Sequence, residues 1–376
     1  MPRDGTTVTA DVAVIGGGVT GAAIAYGLLR RGRRVVVLDE GDKAFRASRG
    51  NGGLVWVQNK GLGCPSYTRL SLRSSLLWTR FARDLQQDSG IDVAYERRGG
   101  LQCCLSEAEA DTRAAQVRQM TAACSADGLD IRMIAPDEIR SMEPQIGPDV
   151  VAASYSPHDG AADPIRLLRA LHAAILGRGG RILSGPAVEA IEPAGDGSHM
   201  LRRRDMRVAA GQVVIAAGNG ARALGGTLGV ALPVRPQKGQ AIITERFGGH
   251  QKVFIIKARQ TIDGHFILGS SIEEDAADLG TDLGYVGPSV ARTLRILPFL
   301  QNARVLRTWA AYRVMTPDSF PIYGPIATAP GIHVATCHSG ITLAAFHALD
   351  LPGILTGDAP ADPIAQFLTT RFEEAA

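Results

Sequence analysis

Cysteine is scarce in this chain of 376 residues: five, at Cys64, Cys103, Cys104, Cys124 and Cys337, an odd number with no C-x-x-C pair. That pattern points away from a disulfide framework and from a self-contained zinc or iron–sulfur site, so no metal site is expected and the thiols are expected reduced and mostly buried. Excess charge is scarce too. A net charge of +3 is too small to make nucleic acid or an anionic membrane the main partner, and the run Arg202-Arg203-Arg204 reads as a solvated hairpin end. No apolar stretch reaches the roughly 18 residues that cross a bilayer, and MPRDGTTVTA lacks the apolar core of a secretory signal. No transmembrane segment is therefore expected, and the protein is expected in the cytoplasm. Internal repeats and low-complexity linkers are absent as well.

Glycine is abundant, at 44 residues, and its placement is informative. Residues 11–40, DVAVIGGGVTGAAIAYGLLRRGRRVVVLDE, read as strand, tight turn, helix and strand, with Gly16, Gly18 and Gly21 in the G-x-G-x-x-G spacing. The first glycine permits the turn, the second lets backbone approach a pyrophosphate, and the third lets the helix pack on the strand. The helix starting near Val19 then points free N–H groups and its positive dipole end at phosphate charge. Asp39, directly after the apolar run Val35 to Leu38, is placed to accept from both ribose hydroxyls, ahead of Glu40.

The following segment, RASRGNGGLVWVQNKGLG, suits a flat ligand: Ser48, Arg49 and Asn51 supply donors, and Gly50, Gly52 and Gly53 allow close approach. Helical spacing covers Tyr67 to Leu85, Glu107 to Ala126 and Pro136 to Met142, and Asp163 caps a helix from Pro164 to Leu176. Strands are expected at 151–155, 181–183, 187–191, 208–209 and 212–217, the last meeting Ala217-Gly218 in a second backbone approach to the same ligand. From Pro233 to Trp309 the strands alternate as in an antiparallel sheet with one covered face, and Pro288 to Leu297 is expected helical. A final strand, Ile332 to Thr336, precedes CHSGITLAAFHAL, in which a turn at Ser339-Gly340 leads to a helix beginning near Thr342. Length favours two domains. The fold class is α/β: a Rossmann-like nucleotide-binding domain with a second α+β domain on a largely antiparallel sheet.

Read together, VAVIGGGVTGAAIAYGLLRRG, VVVLDEG, SRGNGG, VVIAAGNGA, KGQAIITE, YRVMTPDSFPIYGP and CHSGITLA resemble the FAD-dependent amino-acid oxidases and dehydrogenases related to D-amino-acid oxidase, glycine oxidase and sarcosine oxidase. ASRGNGGLVWVQNKGLGCPSY is most similar to the FAD (β) subunit of bacterial D-hydroxyproline dehydrogenases and of octopine and nopaline dehydrogenases. The resemblance implies a discontinuous FAD-binding domain at 1–95, 150–230 and 310–376, and a substrate domain at 96–149 and 231–309. It implies that Gly16, Gly18, Val19, Gly21 and Asp39 bind the ADP half, that Val188 meets the adenine through its backbone, and that Ser48, Arg49, Asn51, Gly52 and Gly53 line the flavin. Ala217 and Gly218 approach the same cofactor, and Gly340, Ile341 and Thr342 sit at the pyrimidine edge of the ring. Arg313 falls where the family grips a substrate carboxylate, a task that suits a planar bidentate fork. His338, beside the flavin turn, is the histidine singled out for a proton role among His265, His333, His338 and His347.

What the resemblance implies for activity is hydride transfer from Cα of a D-amino acid or secondary amino (imino) acid to flavin N5. Electrons then pass to an iron–sulfur-containing partner in a hetero-oligomer, and FMN at a subunit contact belongs to the same pattern. Where heterotetrameric sarcosine oxidases carry a histidine joined to FMN, this chain has Ala162, so any such FMN is held without that bond. A stand-alone oxygen-using oxidase and an inert flavin-carrying structural subunit are the alternatives.

Overall fold

The computed structural model describes residues 7–41, 46–274, 276 and 278–375, with the side chains of 373–375 excepted. Its first sheet grows from the strand Val8–Ile15, which runs parallel to Val35–Asp39 on one side and to Arg207–Ile215 on the other. Six strands follow in the order Ile322–Pro325, Ile332–Thr336, Arg207–Ile215, Val8–Ile15, Val35–Asp39 and Arg181–Ser184. All pairs in that row are parallel except the hairpin Ile322–Pro325 with Ile332–Thr336. Strands covered on both faces need apolar side chains pointing both ways, which is why VVVL and VAVI are continuous rather than alternating. On one face lie the helices Val19–Arg30, Pro65–Ser89, Pro164–Gly177 and Ala344–Leu349, with Tyr26, Trp78, Phe81 and Phe346 fully buried. The other face is covered by the antiparallel strands Val188–Pro193 and His199–Arg203 together with the short helix Ala221–Thr227.

Most elements expected from the spacing appear. Asp163 Oδ1 accepts from Ile165 and Arg166 N–H to open the helix at Pro164, and Gly90 closes Pro65–Ser89 in the left-handed conformation at φ 70°, as glycine does most readily. Several expectations are corrected. Residues 207–215 form one strand rather than two pieces. The helix expected from Pro288 starts at Leu283, because Asp282 caps it through Gly284 N–H and leaves Pro288 inside. In the basic run, Arg203 is buried instead of solvated: its guanidinium donates to the Leu183 and Ser184 carbonyls and pairs with Asp205.

The second sheet runs Val305–Met315, Arg235–Arg246, His265–Leu268, Ala258–Gln260, Phe254–Ile255, Gly100–Cys104, Ala152–Ser156 and Arg132–Ile134. Its pairs are antiparallel apart from Phe254–Ile255 with Gly100–Cys104. One face packs on the helix Leu283–Ile296 through an apolar cluster that includes Phe266, Phe299 and Ile296. The boundaries expected at 150 and 310 cut into this sheet, since both Ala152–Ser156 and Val305–Met315 pair within it. The other face brings Arg313, Ala311, Gly239, Ala241, Ile267 and Arg259 to one side, following the two-residue period through the pairs Gly239↔Ala311, Ile243↔Ile267 and Arg259↔Ile267.

Candidate active site

The glycine turn is held by packing that no other residue permits. A Cβ on Gly16, which sits at φ +108°, would stand 2.3 Å from the Ala216 carbonyl oxygen, and one on Gly21 would stand 2.0 Å from that of Gly16. Asp39 ties the turn to the second strand: Gly17 N–H donates to Oδ2 at 2.7 Å and Gly41 N–H to Oδ1 at 2.8 Å. Ser48 Oγ accepts from Val19 N–H at 3.0 Å. These groups border a cavity of about 360 Å³ lined by Gly16, Gly18, Val19, Asp39, Ser48, Asn51, Ala217, Gly218, Thr336, Gly340 and Ile341 among others.

A second cavity, of about 320 Å³, opens between the two sheets, bounded by Gly52, Trp56, Lys60, the arginine-bearing sheet face and His338, Ser339, Ile341 and Thr342. Ala47, Asn51, Tyr312, His338 and Ile341 line both cavities, so they form one elongated channel. Asn219 Oδ1, Thr336 Oγ1, His338 Nδ1, Ser339 Oγ and Trp56 Nε1 are buried along it without hydrogen-bond partners. Buried polar atoms are ordinarily paired, so this row of orphans fits a long polar ligand such as a dinucleotide. The N–H groups of Gly340, Ile341 and Thr342 likewise have no acceptor among the described residues. The regular helix starts only at Ala344 and is six residues long. The feature presented to the channel is thus a turn of free amides, and the helix end expected near Thr342 lies further along.

Arg313 is fixed before any ligand arrives. Its Nη1 donates to the Lys238 carbonyl at 3.1 Å, and Nη2 to Ser270 Oγ at 2.9 Å and the Ser271 carbonyl at 2.8 Å. Gly239 makes the room: a Cβ there would lie 2.2 Å from Nη2. Burial lowers the pKa of Arg313, with Glu273 and Glu274 acting the other way. His338 is held neutral, pushed down to about 3 by burial and then by the Lys60 and Arg313 charges. A neutral imidazole can take part in hydrogen bonds there, yet it is too weak a base to keep a proton near neutral pH.

Not every expected residue reaches the channel. Gly21 acts through packing, and Gly53, at φ +83°, faces Ala162 and Arg259. Arg49 is exposed and borders neither cavity, because the turn at 46–50 directs it outward. Val188 also borders neither; it begins the covering strand and pairs with Arg203. Conversely, Trp56, Lys60, Lys257 and Arg259 line the inner chamber and were not singled out from sequence. The even spacing of Lys257 and Arg259 in VFIIKARQ was the available signal, since strand residues two apart share a face, but Lys257 has φ 66° at a turn, which breaks that count.

A dinucleotide cradle opening into a cation-lined chamber beneath an antiparallel sheet is the layout of a dinucleotide-dependent oxidoreductase. Residues 11–351 match the DAO family, described as FAD dependent oxidoreductase, and the chain belongs to that family. It is 35% identical over 363 residues to an opine oxidase subunit of Rhizobium meliloti, covering 96% of this chain and 98% of that one. It is 28% identical over 412 residues to hydrogen cyanide synthase subunit HcnC of Pseudomonas aeruginosa, covering 97% of both. The crystal structure of glycine oxidase from Geobacillus kaustophilus superposes with a TM-score of 0.88 at 26% identity, covering 97% of this chain and 99% of that one. The protein is an FAD-dependent oxidoreductase of the amino-acid oxidase type. Among the described residues no helix is long and apolar enough to cross a membrane.

Proposed function

We propose that this chain is the FAD-bearing subunit of a dehydrogenase that oxidises a secondary amino acid, an opine or a cyclic imino acid such as D-hydroxyproline, and hands the electrons to a partner subunit. The observation that carries this reading is Arg313, pre-oriented by its three hydrogen bonds at the wall of the chamber into which the nucleotide cradle opens. FAD, when bound, supplies the acceptor for a hydride from the substrate Cα.

The remaining work belongs to the protein. The Gly16 to Gly21 turn, Asp39 and Ser48 hold the ADP half, and the free amides of Gly340, Ile341 and Thr342 offer donors to negative charge that develops at the ring edge. Arg313 grips the substrate carboxylate and sets the angle of the Cα–H bond, and orientation of this kind supplies much of the rate. The amine reacts as the free base, its proton lost to solvent. His338 is assigned a hydrogen-bonding role in place of a base. Two relatives that carry the word subunit in their names support a hetero-oligomer. An iron–sulfur centre in the partner, with or without FMN at the contact, is the electron relay of this reading.

A stand-alone oxidase is the second reading, favoured by the superposition on glycine oxidase. Assay of the purified chain with D-amino acids, D-proline analogues, sarcosine and opines, against oxygen and against an artificial dye, separates the two. Turnover with dye alone supports the dehydrogenase, and stoichiometric peroxide supports the oxidase. A flavin that no amine bleaches leaves only a structural subunit.

A further inference from the structure

Four cationic side chains face the inner chamber and no carboxylate does. Lys60, Lys257, Arg259 and Arg313 all line it, and among the described residues no aspartate or glutamate shares the lining. Arg313 is accounted for by the carbonyl and hydroxyl groups around it. Arg259 is not. It is 6% exposed, its Nε has no hydrogen-bond partner, and no acid lies within ion-pair distance among the described residues. Of the two acids that its charge feels, Asp163 already accepts from Ile165 and Arg166 N–H as a helix cap, and Glu96 is paired with Arg98. Burying a guanidinium without a counter-ion is costly, and here burial draws the group down to about 10.

The placement of the two arginines is as telling as the missing counter-ion. They belong to the same sheet face, Arg313 at one end and Arg259 three strands away, and the floor between them is cut down to Gly239, Ala241, Ala311 and Ile267. Lys257 stands two residues from Arg259 in a left-handed conformation, with its pKa lowered by burial and by the Arg292 and Arg313 charges. A ligand with one negative end would leave this second pole unanswered.

We propose that Arg259 binds a second carboxylate of the substrate, so that the chamber selects a secondary amine bearing a carboxylate on each side of the nitrogen. This rests on the reading above that Arg313 holds the first carboxylate. Among the described residues the same lining holds no carboxylate to pair with a guanidinium or ammonium group, so the preferred N-carboxyalkyl amino acids have neutral or acidic side chains.

Ether isosteres test the idea without turnover. Oxydiacetate carries two carboxylates and methoxyacetate one, and neither has an amine to oxidise. Binding to the full-length, FAD-loaded chain is read from the flavin absorbance change and from the rise in Tm. Oxydiacetate should bind about 10- to 100-fold more tightly, the range of one charge-assisted contact. Arg259→Met should erase most of that preference, and Arg259→Lys should retain part of it. Equal binding of the two isosteres by the wild-type chain, or an undiminished preference in Arg259→Met, overturns the proposal. Should Arg259→Met fail to fold, the wild-type ratio and a smaller loss in Arg259→Lys decide the matter. Iminodiacetate and sarcosine as substrates separate the two readings: a flavin bleached equally well by both sinks the second carboxylate site alone, whereas one bleached by no amine sinks the proposed reaction and leaves the isostere preference to stand or fall by itself.

Discussion

The two ends of the channel are built from different material. At the nucleotide end the contacts are backbone: glycines with no Cβ to spare, a carboxylate clamped on two amides, and a hydroxyl on a third. At the substrate end they are long cationic side chains standing on a floor of small residues. A backbone site has few sequences that can make it, since each close approach forbids every side chain but hydrogen. A side-chain site can be reached from many positions on a sheet. The first kind therefore announces itself as a spacing, and the second becomes visible only once strands are in register.

Gly21→Val should produce the largest effect and tests the backbone half of that contrast. The new side chain meets the Gly16 carbonyl at 2.0 Å from Cβ onward, so the turn cannot close on a pyrophosphate, and the protein should purify colourless and stay so after incubation with FAD. Gly226→Ala, at a glycine whose added Cβ meets nothing within 4 Å, should stay yellow. A yellow Gly21→Val protein would mean that the cradle is not shaped by these contacts.

The substrate half is sharpened next by Arg313→Lys. An ammonium cannot replace the fork that bonds two carbonyls and a hydroxyl while keeping Nε–H and an Nη1–H free to donate to a carboxylate. The expected result is a KM raised about 100-fold, as for loss of a charge-assisted contact, with the flavin spectrum intact. Unchanged kinetics would remove Arg313 from the site. Gly239→Ala should do less. Its Cβ would collide with the tip of a movable side chain, 2.2 Å from Nη2, so the guanidinium shifts instead of disappearing, and kcat/KM should fall about 10-fold through misplacement. An effect equal to that of Arg313→Lys would show that position, rather than charge, is what the arginine contributes.

This contrast also explains what could be read in advance. The parallel sheet, its helices and the cradle were legible because βαβ units carry caps, glycines and continuous apolar runs in fixed order. The boundary expected at 150 puts the strand Ala152–Ser156 with the first sheet, because a run of Ala and Ser around a single Tyr155 reads alike in either setting; only its pairing with Gly100–Cys104 decides the matter. Arg313 was found through resemblance, whereas Arg259 and Lys60 were not, since nothing local distinguishes a buried arginine lining a chamber from one on a solvated strand. Their meaning lies in what they do not touch, and that is a property of the tertiary structure.

Lys60 offers the smallest and most specific test. Walled in apart from its contact with the chamber, it is drawn down to about 8, burial outweighing the opposing charge of Asp159. It is therefore a cation below that pH and neutral above it, and a dianion in the chamber should lose one favourable interaction as pH rises through 8. With oxydiacetate, which has no amine to titrate, affinity should fall about 5-fold between pH 7 and 9, the size of a contact charge–charge interaction screened to a water-like dielectric constant, about 1 kcal/mol. Lys60→Met should flatten that step. The neighbours that share its surroundings titrate elsewhere: His338 near 3, Cys337 near 11 and Asp159 near 7. Asp159 is close enough in pKa to need its own control, and Asp159→Asn should keep the Lys60 step, moved to lower pH by loss of a charge that holds Lys60 up. A step that survives Lys60→Met but vanishes in Asp159→Asn would assign the titration to the carboxyl buried against Val57 and Gln58, and the chamber would then count three working cations instead of four.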